Sequence, residues 1–353
     1  MTQLTINATA TRFNLSSVPA MPEIVLTAVM GEPPRPGAPP VPPTPLPPNA
    51  VLVWHVALAY PGFIAVAHGL TRPGRARTHP AIAPIMGNPA RVPFTEVMGG
   101  RLTVRLEVTI GTQKLSATRD DILIGGTNPT AAELSAAVQT KLMRQMIQQE
   151  SGGAQFNDGR GGLPATALNP NWSQDRLRGV GLGQLTNPPP SADDAWNWRT
   201  NAATLQVRFR GKRASGSTLH TRIMASARWT GEVGALNEWR RAEGQPPLHV
   251  TLPALTAEQQ DWEGLRAYNG FGVKADGQYL DYIHEFEPLL TTLVSATRKA
   301  PNGQPMKSPP VPDVDAAGVG SWRQVTGAER NTRSGGQAPG DPNYVAHVLA
   351  QPG

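Results

Sequence analysis

The sequence predicts a multidomain chain, with an all-β module of sandwich type over residues 1–127 and a mainly α domain over residues 128–353. Three observations carry that expectation. Period-two alternation of apolar and polar residues, the spacing of a half-buried strand, is concentrated in the first 127 residues. Helix formers preceded by Ser or Thr caps dominate afterwards. Between the two lies Gly125-Gly126-Thr127-Asn128, a composition suited to a linker.

In the first part, residues 23–29, 51–58 and 102–108 have strand composition or alternation, and 114–118 and 121–124 read as two shorter strands. Trp54 inside an apolar strand is similar to the buried Trp of immunoglobulin-like sandwiches, so the module is expected to be Ig-like. Residues 33–48 are Pro-rich and should form an extended, exposed loop. Such a module would bind, anchor or dock rather than catalyse.

The second part opens with a capping box. Thr130 can accept from free N–H groups, and Glu133 three residues on completes the motif. One helix is expected from there to Glu150, because Leu134, Val138, Leu142, Met146 and Glu150 fall four apart and share a face. Ile147 joins that stripe, and Ser151-Gly152-Gly153 ends it. Glu150 would then sit on the apolar side of its own helix, in the last turn. Lost hydration and the negative end of the helix dipole both favour the protonated carboxyl that a general acid needs.

Further helices are expected from Asp193 toward Arg208, over 218–229, from a Thr256 capping box into Tyr268, and over 279–296 with Leu280, Ile283, Phe286 and Leu290 on one face. Residues 299–341 are polar and rich in Pro and Gly, which reads as a long irregular insertion.

Four strings in order carry a functional signal: Glu150-Ser151, Gly181-Leu182-Gly183-Gln184-Leu185, Ala267-Tyr268-Asn269-Gly270 and Asn343-Tyr344-Val345. In this order they resemble the motifs of soluble lytic transglycosylases, within the lysozyme-like superfamily that also holds goose-type lysozymes. The resemblance covers residues 128–353 and implies a lysozyme-like fold for them. It implies that Glu150 is the catalytic acid and then the base, that Ser151, Gly181, Gln184 and Thr186 lie along the substrate, that Tyr268 and Tyr344 flank the acid, and that Asn269 locks the helix carrying Tyr268.

The implied reaction cuts the β-1,4 bond between N-acetylmuramic acid and N-acetylglucosamine in peptidoglycan strands. Glu150 protonates the bridging oxygen. It then takes the proton of the muramyl 6-hydroxyl as a 1,6-anhydro ring closes. No metal and no cofactor are needed. Two departures stand out: the family usually has Met where Gly183 stands, and Leu185-Thr186 occupies the place of a second carboxylate in goose-type lysozymes. Asp158 and Asp175 are the nearby replacements. Without an obvious second carboxylate, the transglycosylase route is preferred to two-carboxylate muramidase hydrolysis. A third reading is a catalytically inactive phage or secretion-machine component that kept the fold.

Composition narrows the remaining classes. The chain holds 36 prolines and 36 glycines in 353 residues, so loops and turns are abundant. It has no cysteine, which excludes disulfides and thiolate metal sites. The seven histidines lack metalloprotease spacing, so no zinc site is expected. A formal charge of +6 suits anionic partners such as the cell wall. The basic stretch 208–213 reads as a solvated helix end rather than a nucleic-acid surface. No apolar run reaches membrane-spanning length, and the N-terminus lacks a signal-peptide pattern. The expectation is a protein made in the bacterial cytoplasm that meets the wall or periplasm by non-classical delivery, docked to a phage tail or secretion machine through its N-terminal module.

Overall fold

The computed structural model describes residues 3–31, 42–60, 76–157, 169–172, 179–270, 283–333 and 340–353. The chain forms two compact units. One comprises residues 1–205 with 351–353, and the other residues 206–350.

The first unit begins with β-sheets. One sheet holds β1 (Gln3–Ala8), β3 (Val25–Gly31) and β4 (Thr44–Pro45), with β8 (Ala90–Arg91) also on β3. The other runs β2 (Arg12–Asn14), β10 (Gln113–Gly125), β9 (Gly100–Ile110), β5 (Val51–Tyr60) and β6 (Arg77–Thr78), with β7 (Ile85–Met86) also on β5. Alternation decides the faces: every second residue of β5 and β9 is buried. Leu4, Ile6, Leu26 and Ala28 from one sheet share a core with Leu52, Trp54, Val56, Leu102, Val104 and Leu106 from the other. Trp54 is fully buried and donates Nε1–H to the Gly87 carbonyl at 2.7 Å. The two short strands expected at 114–118 and 121–124 are one strand, β10, whose pairing with β9 is interrupted between Arg119 and Ile122. Of the Pro-rich loop, 42–48 are described. They are largely exposed, but Thr44–Pro45 pairs with β3.

The expected linker at 125–128 is a packed crossing instead. Thr127 Oγ donates to Leu15 O at 2.6 Å, and Asn128 exchanges two hydrogen bonds with the Phe156 backbone, at 3.0 and 2.7 Å. A Cβ on Gly126 would stand 2.2 Å from the Phe156 ring. Phe156, Trp172, Val180 and Trp196 then continue the same core that the sheets enclose. Trp196 lies edge-on to Tyr60, centroids 5.2 Å apart, and Trp172 Nε1 donates to the Tyr60 hydroxyl at 3.3 Å. Burial pushes the Tyr60 hydroxyl up to about 12, the Trp172 bond opposing it only in part. The division between compact units therefore falls after Leu205 and not at residue 127, because aromatic side chains beyond 127 complete the β core.

Helices follow, and the ones expected over 131–150, from Asp193 and over 218–229 are each divided in two. The single helix expected from 131 to 150 is two, α1 (Ala131–Ala137) and α2 (Lys141–Ser151). Thr130 and Glu133 form the expected capping box. The break comes where Arg144 folds back and donates to the carbonyls of Val138 and Gln139, both at 2.8 Å, which satisfies groups a continuous helix would have used. The helix expected from Asp193 is likewise split into α3 (Ala192–Trp196) and α4 (Trp198–Ser217). Asn197 Oδ1 accepts from Arg199 N at 3.0 Å and restarts the chain as a cap.

The division between units lies within α4. Beyond it, the second unit holds α5 (Leu219–Met224) and α6 (Ala227–Ala242), separated by the Ser226 cap, and then α7 (Ala257–Tyr268), which has the expected Thr256–Gln259 capping box. Leu219, Ile223, Trp229, Leu236, Leu252 and Phe286 form its core.

Where an amphipathic helix is expected over 279–296, the described residues from 283 form β11 (Phe286–Pro288), β12 (Leu290–Thr291) and β13 (Val294–Lys299). Pro288 cannot donate into a helix, and β-branched residues follow it. Nor is 299–341 one irregular insertion. It contributes β14 (Pro305–Lys307), β15 (Val311–Pro312), β16 (Trp322–Gln324) and α8 (Gly327–Arg333). Each short strand finds an antiparallel partner, β16 on β11, β15 on β12 and β14 on β13. α9 (Tyr344–Leu349) follows. The architecture is thus β-rich at the N-terminus and helical beyond, with small two-stranded sheets late in the chain. Among the described residues no helix is long and apolar enough to cross a membrane.

Candidate functional site

Glu150 stands in the last turn of α2, and the helix ends where Gly152 turns left-handed at φ 61°. The Gly152 N–H closes the end by donating to Gln148 O at 2.9 Å. Met143, Met146 and Ile147 bury one face of α2, and Glu150 itself is half-buried at the edge of that face. Ser151 Oγ donates to Ile147 O at 3.1 Å, so its hydroxyl is engaged with its own helix. The C-terminal residues clasp α2: Gln145 Nε2 donates to Gln351 O at 2.9 Å, and Gln351 Nε2 to Gln149 Oε1 at 2.8 Å.

Five residues after Glu150 comes Gln155, which the sequence reading missed. It is fully buried. Its Oε1 accepts from Leu182 N at 3.1 Å, and its Nε2 donates to the carbonyls of Asp194 and Ala195 at 2.8 and 2.9 Å. Asn201, also fully buried, mirrors it. Its Oδ1 accepts from Gly183 N at 3.0 Å, and its Nδ2 donates to Val180 O and Asp194 O at 3.0 and 2.9 Å. Two buried side-chain amides thus fix the backbone of residues 180–183.

This explains the glycines. Gly181 has φ +72°, and a Cβ there would lie 2.3 Å from Gln155 Oε1 and 2.4 Å from Asn201 Nδ2. A Cβ on Gly183 would stand 3.0–3.2 Å from Leu205 side-chain carbons, so the Met usual in the resembled family would fit only if Leu205 gave way. Gln184 adopts φ 44°, and its Nε2 donates to Gly181 O at 3.0 Å and Asn171 O at 3.3 Å. Thr186 is exposed and donates to Gln184 O at 2.9 Å. Gly181, Gln184 and Thr186 therefore belong to one tied loop, linked to Glu150 and Ser151 by a short stretch of chain and one hydrogen bond. Asp158 and Asp175 lie outside the described residues.

Tyr268, Asn269 and Tyr344 belong to the second unit, and there they come together. Tyr268 ends α7 and Tyr344 begins α9. Asn269 Nδ2 donates to Asp341 O at 2.8 Å, which ties the end of α7 to the turn leading into α9. Tyr344 is buried and Tyr268 is partly exposed.

The same unit holds a buried ionic cluster that sequence reasoning also missed. Glu263 on α7 accepts from Arg266 Nε at 3.0 Å and from Glu285 N at 2.7 Å, and it pairs with His284 Nδ1. Burial alone would raise its carboxyl. Arg266 and His284 outweigh burial and hold it down at about 2. Glu285 accepts from Arg330 Nη1 and Gln324 Nε2, both at 2.8 Å, yet burial raises its carboxyl above the usual range, and nearby Glu263 pushes the same way. The buried His284 Nε2 has no hydrogen-bond partner among the described residues. Glutamates spaced 22 residues apart give no sequence signal, because only tertiary packing makes them neighbours. Among the described residues no group of three or more His, Asp or Glu is arranged to hold a metal ion.

No family model, no curated protein and no solved structure matches this chain.

Proposed function

We propose that this chain cleaves peptidoglycan glycan strands as a lytic transglycosylase, with Glu150 as its single acid and base. One observation carries the reading. The tied loop 180–183 is fixed through Gln155, five residues from Glu150, so a carboxyl at a helix end and a rigid glycine-bearing backbone are built as one piece. Residues 180–183 are themselves buried and serve as a rigid base, and the sugar's N-acetyl group would be met by the partly buried Gln184 and the exposed Thr186 that follow.

In this reading Glu150 gives its proton to the oxygen between N-acetylmuramic acid and N-acetylglucosamine, and that C–O bond breaks. The substrate's acetamido group shares the positive charge. The ionised Glu150 then removes the proton of the muramyl 6-hydroxyl, whose oxygen closes the 1,6-anhydro ring. The lysozyme-like superfamily and the Ig-like character of the β-rich module belong to the same proposal, with the module docking the enzyme to a delivery machine or to the wall.

Two observations favour the competing reading, a non-catalytic component with such a fold. The Gln184 amide N–H groups and the Ser151 hydroxyl are spent on backbone carbonyls. Digestion of purified wall separates the possibilities. Soluble muropeptides ending in anhydro-muramic acid support the transglycosylase. Reducing ends alone make the protein a muramidase, and no release by the folded protein supports the structural role.

A further inference from the structure

Resting on that functional reading, we infer that Glu285 and Arg330 are positioning residues, closing a ring of hydrogen bonds that fixes α9 and its Tyr344 against the Tyr268 end of α7. The ring can be followed bond by bond. Glu263 on α7 accepts from Glu285 N at 2.7 Å. Glu285 accepts from Arg330 Nη1 at 2.8 Å. Arg330 on α8 donates Nε–H to Pro342 O at 2.8 Å, two residues before α9. The neighbouring Asp341 carbonyl accepts from Asn269 at 2.8 Å, and Asn269 caps α7 by donating to Leu265 O at 3.1 Å. α7 is thus joined to α9 at its end directly, and from its middle through Glu285 and Arg330.

The members are buried: Glu263 is 1% exposed, Glu285 0%, Arg266 and Arg330 5% each. Two carboxylates, two guanidiniums and the imidazole of His284 share this interior. Burying an ion pair is a poor way to gain stability, since desolvation offsets the attraction. Glu285 makes the point directly. Its carboxyl remains raised although Arg330 and Gln324 both bond to it, so the ionised form is held at a cost to folding. What charge-assisted bonds supply is direction. Arg330 uses its planar donors on Glu285, Val325 O at 2.6 Å and Pro342 O together, a geometry that lysine cannot reproduce. α9 is only six residues long, too short to hold its place by its own helix bonds.

The test uses the full chain with Glu285→Gln and, separately, Arg330→Lys. Amide hydrogen exchange is followed in α9 and, as an internal reference, in α6. Wall-cleavage kcat and KM are measured alongside. Expected are melting temperatures several degrees below wild type at neutral pH, because each variant leaves a buried charge less well paired, with α9 exchange accelerated about tenfold more than α6 and kcat about tenfold lower at unchanged KM. Unchanged α9 exchange in both variants overturns the ring, as does equal acceleration in α6, which would mean a general loss of stability. Faster α9 exchange with unaltered kcat overturns the positioning role. If the wild-type chain cleaves no wall, the functional reading fails, and the exchange comparison still decides whether the ring holds α9.

Discussion

In the proposed reaction Glu150 is the residue on which the chemistry turns. Glu150→Gln removes the proton and keeps the size, at a half-buried place that tolerates an amide. Wall cleavage should fall by at least about a thousandfold while the melting temperature moves by only a few degrees. Retention of near wild-type cleavage would remove Glu150 from the mechanism. The loop glycines give sharper structural expectations. Gly181→Ala puts a methyl group 2.3 Å from the Gln155 amide at a left-handed backbone position, and should cost roughly 3 kcal/mol in urea unfolding. Gly183→Met restores the residue usual in the resembled family, but it presses on Leu205 and should destabilise by about 1–3 kcal/mol rather than improve activity.

At the level of elements, the amides of Gln155 and Asn201 join the chain after α2, the loop, and α3 with α4. Gln155→Ala strands the Leu182 N–H and withdraws donors from two buried carbonyls, for a loss of roughly 3 kcal/mol. Hydrogen exchange at Leu182 and Gly183 should rise first. In the second unit, α7 depends on Glu263. Its carboxyl sits at about 2 when folded, below an ordinary glutamate, so its stabilising share is complete above the ordinary range and drains as pH falls toward 2. Glu285 has the opposite sign: its raised carboxyl favours the fold in acid, and that share is lost as pH rises through its folded value. Thermal melts from pH 7 to pH 3 should therefore show a shallower acid loss in Glu263→Gln than in wild type, starting from a lower stability at pH 7. Parallel slopes would contradict the assignment. Glu263→Ala, which leaves Arg266 and His284 buried without their carboxylate, should cost about 3–5 kcal/mol.

For the molecule as a whole, the position of the unit boundary matters most to anyone cutting the chain. Residues 1–127 contain every strand among the described residues of the first unit, yet Phe156, Trp172 and Trp196 cover part of its core. Each such aromatic buries on the order of 150–250 Å². A fragment of residues 1–127 should therefore melt at a lower temperature than one of residues 1–205 and bind a hydrophobic dye in its native baseline. Equal melting temperatures would mean that the β-sheets stand alone and the aromatic seal contributes little.

The sequence by itself determined what depends on near neighbours in the chain. Alternation placed β3, β5 and β9, capping boxes placed the starts of α1 and α7, and a glycine pair placed the end of α2 directly after Glu150 and Ser151. Local propensity and pattern act over a few residues, and those are legible. The tertiary structure decided what depends on distant partners. Arg144 and Asn197 broke helices that looked continuous, because each offered orphan backbone groups a better partner than the next turn. Residues 283–299 became strands because Pro288 barred a helix and partners waited at 305–324. Gln155 and Asn201 fixed the loop, and Glu263, Glu285 and Arg330 met in one interior, from positions 46 and 67 residues apart at their extremes. Buried polar groups must find partners wherever the fold brings them, and no spacing in the chain announces which they will be.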